Sequence, residues 1–431
     1  MTLDLENYQT TFNEASQALN DGDSETAFQS LRSILRYPGH PLLTEYWGQS
    51  FGLFAEIAKI FVGDEFAIKI RQVVDRPDDI EALYYLGYDL IEYGLPEISS
   101  TVLTRANTIE PGHAEIVCEL VCGLEKDSLH AEACRILRSD ANLLTNNFIC
   151  RYLLAFNSIM TGNLVEPQQI LPSLQTSQDE TEAFMAARIA NILQRAELLK
   201  GCSTLDLQDL RGWHYVLVDG LLLHISTAGF NEGMNGRYAY VQDSYPLIRE
   251  GIERLIAVLN TWEIKIPQVF ILPDENSAIL ARAIARILAC PVVEWKDEET
   301  NAPGLVVAYD LGTLESDLLE QLSDRHPGQL LWSHAICWTE DLPFAADFTT
   351  YLYQFNTAPW DLNIGDENFN DTDKSSEEII AEIVNATIDP DDLSDLDSLL
   401  KIALRVKNVP HLSDYRLKQY VGSPVTSSRF L

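Results

Sequence analysis

Apolar and small residues recur three and four positions apart between Asp79 and His113. This period predicts two amphipathic helices, each with one apolar stripe. The stripes consist of Leu83, Leu86, Gly87 and Leu90 in the first helix and of Ser99, Leu103 and Ala106 in the second. The small Gly87 predicts a close approach of the two helices, and Pro111 ends the second one. A single pair cannot bury its own apolar face, so we expect neighbouring pairs to stack on it.

Similar helical patterns cover the rest of the first two hundred residues. The predicted helices span Tyr8–Leu19, Ser24–Leu35, Thr44–Val62, Asp64–Val74, His113–Leu124, Ser128–Arg138 and Phe148–Met160. They are followed by Gln178–Lys200, a long segment rich in Ala and Leu with Gly201 behind it. We expect this last helix to close the stack as a cap.

The small–large pattern of residues 79–113, over a length of about 34 residues, resembles a tetratricopeptide (TPR) repeat. That resemblance implies a TPR-like α-solenoid over residues 1–202, with about four to six helix pairs. In this family the first helix of each pair lines a concave face that grips peptides or other proteins. Carried onto this sequence, that face contains Glu81, Tyr84, Tyr88 and Glu92, which suit a basic or aromatic peptide segment. The alternative is that both tyrosines pack against the next repeat.

The pattern changes near Trp213, where short apolar runs begin to alternate with amphipathic segments. Strands are predicted within residues 214–226, 268–272, 292–295, 305–309 and 330–337, and helices within 245–259, 278–288 and 314–323. Strands that alternate with helices through short loops predict a parallel sheet covered on both faces. We therefore expect residues 203–360 to form a small Rossmann-like, three-layer α/β domain.

In open sheets of this kind, ligands bind beyond the carboxyl ends of the strands. Asn276, Ser277, Asp310 and Thr313 follow predicted strands and are the candidate ligand contacts. The order of elements over residues 265–340 resembles the type I phosphoribosyltransferase fold, and Asp310 matches the acidic position of that family. The second acid and the Thr-Gly-x-Thr phosphate loop of the family are missing. The resemblance therefore implies the fold without the activity.

No complete catalytic or metal-binding motif is present. The chain contains neither G-x-S-x-G nor H-E-x-x-H, and the glycine-rich loop at residues 229–236 has neither the dinucleotide-binding nor the P-loop order. The segment His113–Cys122 has a His, a Glu and two Cys but lacks the Pro-Cys-x-x-Cys of a zinc deaminase. The segment Asp366–Glu377 partly matches a calcium loop but lacks its turn glycine. We therefore expect no catalytic residue, no metal and no cofactor.

Three histidines accompany the predicted strands. His334 lies on an apolar strand, where we expect it to be a satisfied core or edge residue. His214 and His224 bracket the first predicted strand, and either could meet Asp219 or Asp310 in space.

The formal net charge of −35 disfavours nucleic acid and anionic membranes as partners and favours basic protein surfaces. The N-terminal residues lack the basic and apolar segments of a signal peptide, and the apolar stretches are interrupted by charges. The seven cysteines, an odd number without framework spacing, indicate reduced thiols. We therefore expect a cytoplasmic protein.

The C-terminal part divides by charge. Residues 361–376 are polar and acidic and predict a flexible loop, whereas residues 377–431 predict two helices and a basic, aromatic end. The basic end suits docking onto the protein's own acidic surface or onto a partner, and ordinary terminal packing is equally consistent with it.

These observations favour a non-catalytic scaffold or adaptor that binds a protein segment on the concave face of the solenoid. The alternative is an enzyme or a nucleotide- or phosphoribosyl-type sensor that acts at the strand ends of the α/β domain.

Overall fold

The structure is a computed structural model that describes residues 2–226, 233–296, 302–326, 328–361, 374–407, 418–419 and 422–427. The chain divides into two compact units, Met1–Ile189 and Ala190–Leu431. The calcium-like positions from Asp366 to Asp371, and Gly229 of the glycine-rich loop, lie outside the described residues. Within the described residues, no helix is both long and apolar enough to cross a membrane.

The first unit is helical, as the sequence predicts. Its helices are α1 (Thr2–Asn20), α2 (Ser24–Leu35), α3 (Trp47–Phe61), α4 (Asp64–Asp75), α5 (Ile80–Glu92), α6 (Pro96–Ile109), α7 (Ala114–Lys126), α8 (His130–Arg138), α9 (Ala141–Asn146), α10 (Phe148–Met160), α11 (Val165–Leu174) and α12 (Glu180–Leu198). The division between the two units falls inside α12.

The pair α5–α6 shows why these residues fold in this way. The Asp79 side chain caps α5 by accepting a hydrogen bond from the Ala82 amide at 3.2 Å. Leu103 of α6 fills the space above Gly87, where an added Cβ would lie 2.5 Å from the Leu103 Cγ. Ser99 donates a 2.6 Å hydrogen bond to the Gly87 carbonyl. The close approach predicted from Gly87 is therefore confirmed.

Packing continues from pair to pair along the unit. Helix α6 contacts α7, and α8 contacts α10. The first helices of successive pairs also contact one another, α5 against α7 and α7 against α10. One departure from regular stacking is that α2 packs on α6, where Arg32 and Glu97 form a 2.7 Å ion pair.

The second unit contains a parallel sheet, which confirms the α/β prediction at this level. Its elements are α13 (Leu210–Val218), β1 (Leu221–Leu222), β2 (Tyr238–Gln242), α14 (Tyr245–Trp262), β3 (Val269–Ile271), α15 (Glu275–Leu288), β4 (Val292–Glu294), β5 (Gly304–Asp310), α16 (Ser316–Ser323), β6 (Gln329–Cys337), β7 (Phe348–Thr357), α17 (Ser376–Asn385) and α18 (Leu396–Val406).

Within the described residues the sheet has seven parallel strands in the order β1-β7-β6-β5-β3-β4, and β2 also pairs with β7. The chain steps from β3 to β4 in one direction and from β5 to β6 in the other. Right-handed crossovers then place α15 and α16 on opposite faces of the sheet. The strand order reverses between β3 and β5, which makes their carboxyl ends the switch point of the sheet.

The strand predicted within residues 214–226 is largely wrong. Residues 210–218 form α13, which the Asp209 side chain caps by accepting the Gly212 amide at 2.9 Å. The helix ends at Asp219 in the left-handed conformation (φ 59°), and only Leu221–Leu222 form a strand. Every residue of α13 is buried, and an apolar run that is buried all round has no helical period to distinguish it from a strand.

The described part of the basic C-terminal end packs on the sheet unit. Lys418 forms a 2.6 Å ion pair with Asp341. Arg237 donates hydrogen bonds to the Val425 carbonyl at 2.9 Å and to the Ser427 hydroxyl at 2.6 Å. These described residues contact the protein itself, which both internal docking and ordinary terminal packing predict.

Candidate functional site

Helix α5 turns one face inward and the other outward. Leu83, Leu86, Gly87 and Leu90 are buried, while Tyr85 and Tyr88 are exposed. Tyr88 is 47% exposed, and Tyr84 is half-buried beside it one turn earlier. Tyr84 is therefore partly packed, while Tyr88 faces solvent, and the binding role of both stays a prediction.

Helix α7 adds carboxylates next to these tyrosines. Burial raises the pKa of Tyr84, and the negative charges of Glu119 and Glu115 raise it further. Burial and the neighbouring charge of Glu92 raise the pKa of Glu119. We call Tyr84, Tyr88, Glu92, Glu115 and Glu119 the tyrosine–carboxylate face.

The predicted residue Glu81 lies toward the other neighbour. Together with Tyr85 it lines an open cavity of about 350 Å³ between α4 and α5, where Lys69 and Asp89 form a 2.5 Å ion pair. The structure therefore places Glu92 with the tyrosines and with α7, and it separates Glu81 from them.

Three carboxylates of the face lack counter-ions within the described part of the chain. Glu92, Glu115 and Glu119 form no salt bridge and no side-chain hydrogen bond among the described residues. Other acids of the helical unit are paired, as in Arg32–Glu97 at 2.7 Å, Arg138–Glu166 at 2.6 Å and Lys69–Asp89 at 2.5 Å. The negative charge of these three residues is thus left uncompensated.

Sequence reasoning missed Glu115 and Glu119, although a signal for Glu115 was present. Glu115 follows Glu81 by the repeat length of about 34 residues, so the positions proposed for α5 could have been carried one repeat onward. Glu119 then follows one helical turn later.

The candidate ligand contacts of the sheet unit lie around its switch point, and we call Asn276, Ser277, Asp310 and Thr313 the strand-end site. Asn276 accepts a 2.7 Å hydrogen bond from the Trp360 indole. The buried Ser277 hydroxyl accepts the Tyr309 amide at 2.9 Å. Both side chains are therefore held by the protein itself.

Asp310 is the acid of the strand-end site, and it is buried. Its carboxylate accepts the Gly312 amide at 3.0 Å and a short hydrogen bond from the Tyr353 hydroxyl. Burial raises its pKa to about 6. Thr313 is exposed, and its hydroxyl donates to the Asp310 carbonyl at 3.1 Å. Thr313 is thus the most accessible member of this set, Asn276 is half-buried, and Ser277 and Asp310 are buried.

A second buried carboxylate at the same edge was not predicted. Asp243, which follows β2, accepts a 2.7 Å hydrogen bond from the Tyr309 hydroxyl and lies 3.1 Å from His334 Nε2. Burial and the charge of Asp243 raise the pKa of Tyr309. Both Asp243 and His334 are buried, which agrees with the core position predicted for His334. Its Nδ1 has no hydrogen-bond partner among the described residues, so the expectation of a satisfied histidine holds for Nε2 alone. The available signal was the position of Asp243 at a strand's carboxyl end.

The other two histidines meet neither Asp219 nor Asp310. His224 lies between Glu250 and Tyr238, with 2.8 Å contacts from its two ring nitrogens. His214 is buried in α13, and burial together with the charge of Arg237 lowers its pKa to about 3. Among the described residues, no group of three or more His, Cys, Asp or Glu side chains could hold a metal ion.

Comparisons with known proteins identify no family. No protein-family model matches the chain, and no curated protein matches it. Among solved structures the chain is similar to a purine phosphoribosyltransferase from Pyrococcus horikoshii Ot3, at 14% identity and a TM-score of 0.23. The match covers 30% of this chain and 99% of that one. The likeness is weak, and no activity is derived from it.

Proposed function

We propose that the helical unit is a TPR-like solenoid whose tyrosine–carboxylate face binds a basic segment of a partner protein. The observation that carries this proposal is the set of carboxylates, Glu92, Glu115 and Glu119, that lie beside Tyr84 and Tyr88 with no counter-ion among the residues that the structure describes. A bound Lys or Arg would supply the missing charge.

The physical chemistry favours a peptide as the ligand. Tyrosine rings provide contact area at low entropic cost and pair well with the aliphatic stems of basic side chains. Uncompensated carboxylates attract cations over roughly 8–10 Å at physiological salt, which raises the association rate. The net charge of −35 acts in the same direction.

The experiment is a selection of displayed random peptides on the full-length chain, followed by fluorescence anisotropy of the selected peptides. We expect enrichment of Lys and Arg next to aromatic residues, with affinity that falls as salt rises. Tyr88→Ala and the double variant Glu92→Gln/Glu119→Gln should each weaken binding by about tenfold or more.

The matched control is Glu6→Gln/Glu14→Gln, which removes two exposed charges from α1 and leaves the face intact. Equal binding by the control and face variants would show that net charge alone attracts the peptide. Selection of acidic peptides, or of none, would contradict the proposal.

The strand-end site supports a second candidate function, an enzyme or small-molecule sensor. The observation in its favour is Asp310, a buried acid with a pKa of about 6 at the switch point of the sheet. A thermal-shift screen with nucleotides, and with phosphoribosyl pyrophosphate and magnesium, tests it. A ligand at about 100 times its Kd would add about 2.7 kcal/mol of stability. No shift for any of these compounds would remove this candidate.

A further inference from the structure

Two thiols meet between successive first helices. Cys118 on α7 and Cys150 on α10 have their sulfur atoms 3.6 Å apart. Cys118 is partly accessible, whereas Cys150 is buried. The Asn147 side chain holds this end of α10 by accepting the Cys150 amide at 2.9 Å. Among the described residues, which include all seven cysteines, no other sulfur–sulfur contact is present.

We propose that Cys118 and Cys150 form a redox site, in which exchange with a small disulfide produces a reversible bond between α7 and α10. A disulfide needs its sulfur atoms about 2.05 Å apart, so the two atoms must close by about 1.5 Å. Side-chain rotation supplies movement of that size without separating the two helices.

The accessibility of the two sulfurs determines the order of events. Cys118 is partly accessible and can meet a small disulfide, whereas Cys150 is buried and reaches only Cys118. Cys118, once its thiol has lost its proton, is therefore the attacking sulfur, because the thiolate is the nucleophile in disulfide exchange.

The exchange balances in two steps. The Cys118 thiolate attacks one sulfur of the small disulfide, the S–S bond of that molecule breaks, and one thiolate leaves, while Cys150 keeps its proton. Cys150 then gives up this proton to the released thiolate and attacks Cys118 Sγ, which expels the second thiolate. The protein dithiol is oxidised, and the small disulfide is reduced to a thiol and a thiolate.

The site lies next to the tyrosine–carboxylate face, because Cys118 is among the groups that raise the pKa of Tyr84. Any effect of the disulfide on peptide binding therefore rests on the proposed function. The thiol chemistry does not, and it can be measured without a peptide.

The test treats the full-length protein with oxidised glutathione, traps free thiols by alkylation and maps disulfides by peptide mass spectrometry. We expect a cross-linked pair of peptides that contains Cys118 and Cys150, the joint loss of two of the seven thiols, and full recovery of both with a reducing agent. Cys118→Ser and Cys150→Ser should each abolish the cross-link.

Cys122→Ser is the matched control, because Cys122 lies one turn from Cys118 on the same helix but has no sulfur neighbour. This variant should form the bond as the wild type does. A stable glutathione adduct at Cys118, or unmodified Cys118 and Cys150, would overturn the proposal. The wild-type peptide map decides the question even if a variant fails to fold.

Discussion

The tyrosine–carboxylate face and the surroundings of the strand-end site contain the same kinds of side chain, carboxylates and tyrosines, in opposite states. On the face, Tyr88 is exposed, and Glu92, Glu115 and Glu119 have no hydrogen-bond or ion-pair partner within the described part of the chain. At the strand ends, Asp310 accepts the Tyr353 hydroxyl, and the nearby Asp243 accepts that of Tyr309. Acids and tyrosines near one another are therefore not a site in themselves, since burial decides whether they are tied up by hydrogen bonds within the fold or stay accessible.

The cause of the difference is the geometry of the two units. A helix of a stacked pair buries one stripe and leaves its other face free of any packing requirement. The strands of a doubly wound sheet are covered on both faces, so polar groups at their ends must find partners within the protein. Each of the following predictions tests one side of this comparison.

The largest effect is expected at the buried acid of the sheet unit. Asp243→Ala leaves the Tyr309 hydroxyl and His334 Nε2 without their acceptor in a buried position. We expect a loss of about 3–4 kcal/mol in the free energy of unfolding, measured by urea denaturation. Asp317→Ala, at an exposed position of α16, should change stability by less than about 0.5 kcal/mol. Similar effects of the two substitutions would contradict a structural role for Asp243.

A smaller loss is expected in the helical unit at Gly87. The Cβ of Gly87→Ala would lie 2.5 Å from Leu103 Cγ, so α5 and α6 must move apart. We expect a loss of about 2 kcal/mol by the same measurement, partly recovered in the double variant Gly87→Ala/Leu103→Ala. Gly52→Ala on α3 meets nothing within 4 Å and should stabilise by about 0.5–1 kcal/mol. A neutral Gly87→Ala would show that the two helices are not tightly packed there.

Gly87 and Asp243 also show which parts of the structure could be predicted from the sequence. Gly87, its apolar neighbours and Pro111 are local signals, and they were sufficient to predict α5 and α6. Helix α13 was missed because its residues are buried all round and carry no amphipathic period. Asp243 and Asp310 become neighbours of tyrosines only through the strand order, which no local pattern contains. The burial of Asp243 and Asp310, which follows from the same strand order, could not be predicted from the sequence either.

A pH-dependent effect is expected at Asp310. Its folded pKa of about 6 lies above the ordinary value, so its contribution to stability is present below about pH 4 and is lost as pH rises through about 6. Asp310→Asn cannot ionise and should gain about 1–2 kcal/mol relative to wild type between pH 5 and pH 8. Urea denaturation at both pH values measures the gain. If the difference in unfolding free energy between Asp310→Asn and the wild type is the same at pH 5 and pH 8, the Asp310 carboxyl titrates normally.

The smallest change in the free energy of unfolding is expected on the tyrosine–carboxylate face. The substitution there should stabilise the protein, whereas Asp243→Ala should destabilise it. Burial and the charge of Glu92 raise the pKa of Glu119 above the ordinary value for a glutamate. Ionisation of Glu119 therefore lowers the stability of the folded protein once the pH exceeds that ordinary pKa. Glu119→Gln should therefore stabilise the free protein near neutral pH by about 0.3–0.5 kcal/mol, and high salt should reduce the gain. The same substitution should weaken binding of a basic peptide. If Glu119→Gln is more stable but binds the peptide more weakly, Glu119 contributes to binding rather than to folding. If the variant is less stable, Glu119 is a structural acid and the binding role is contradicted.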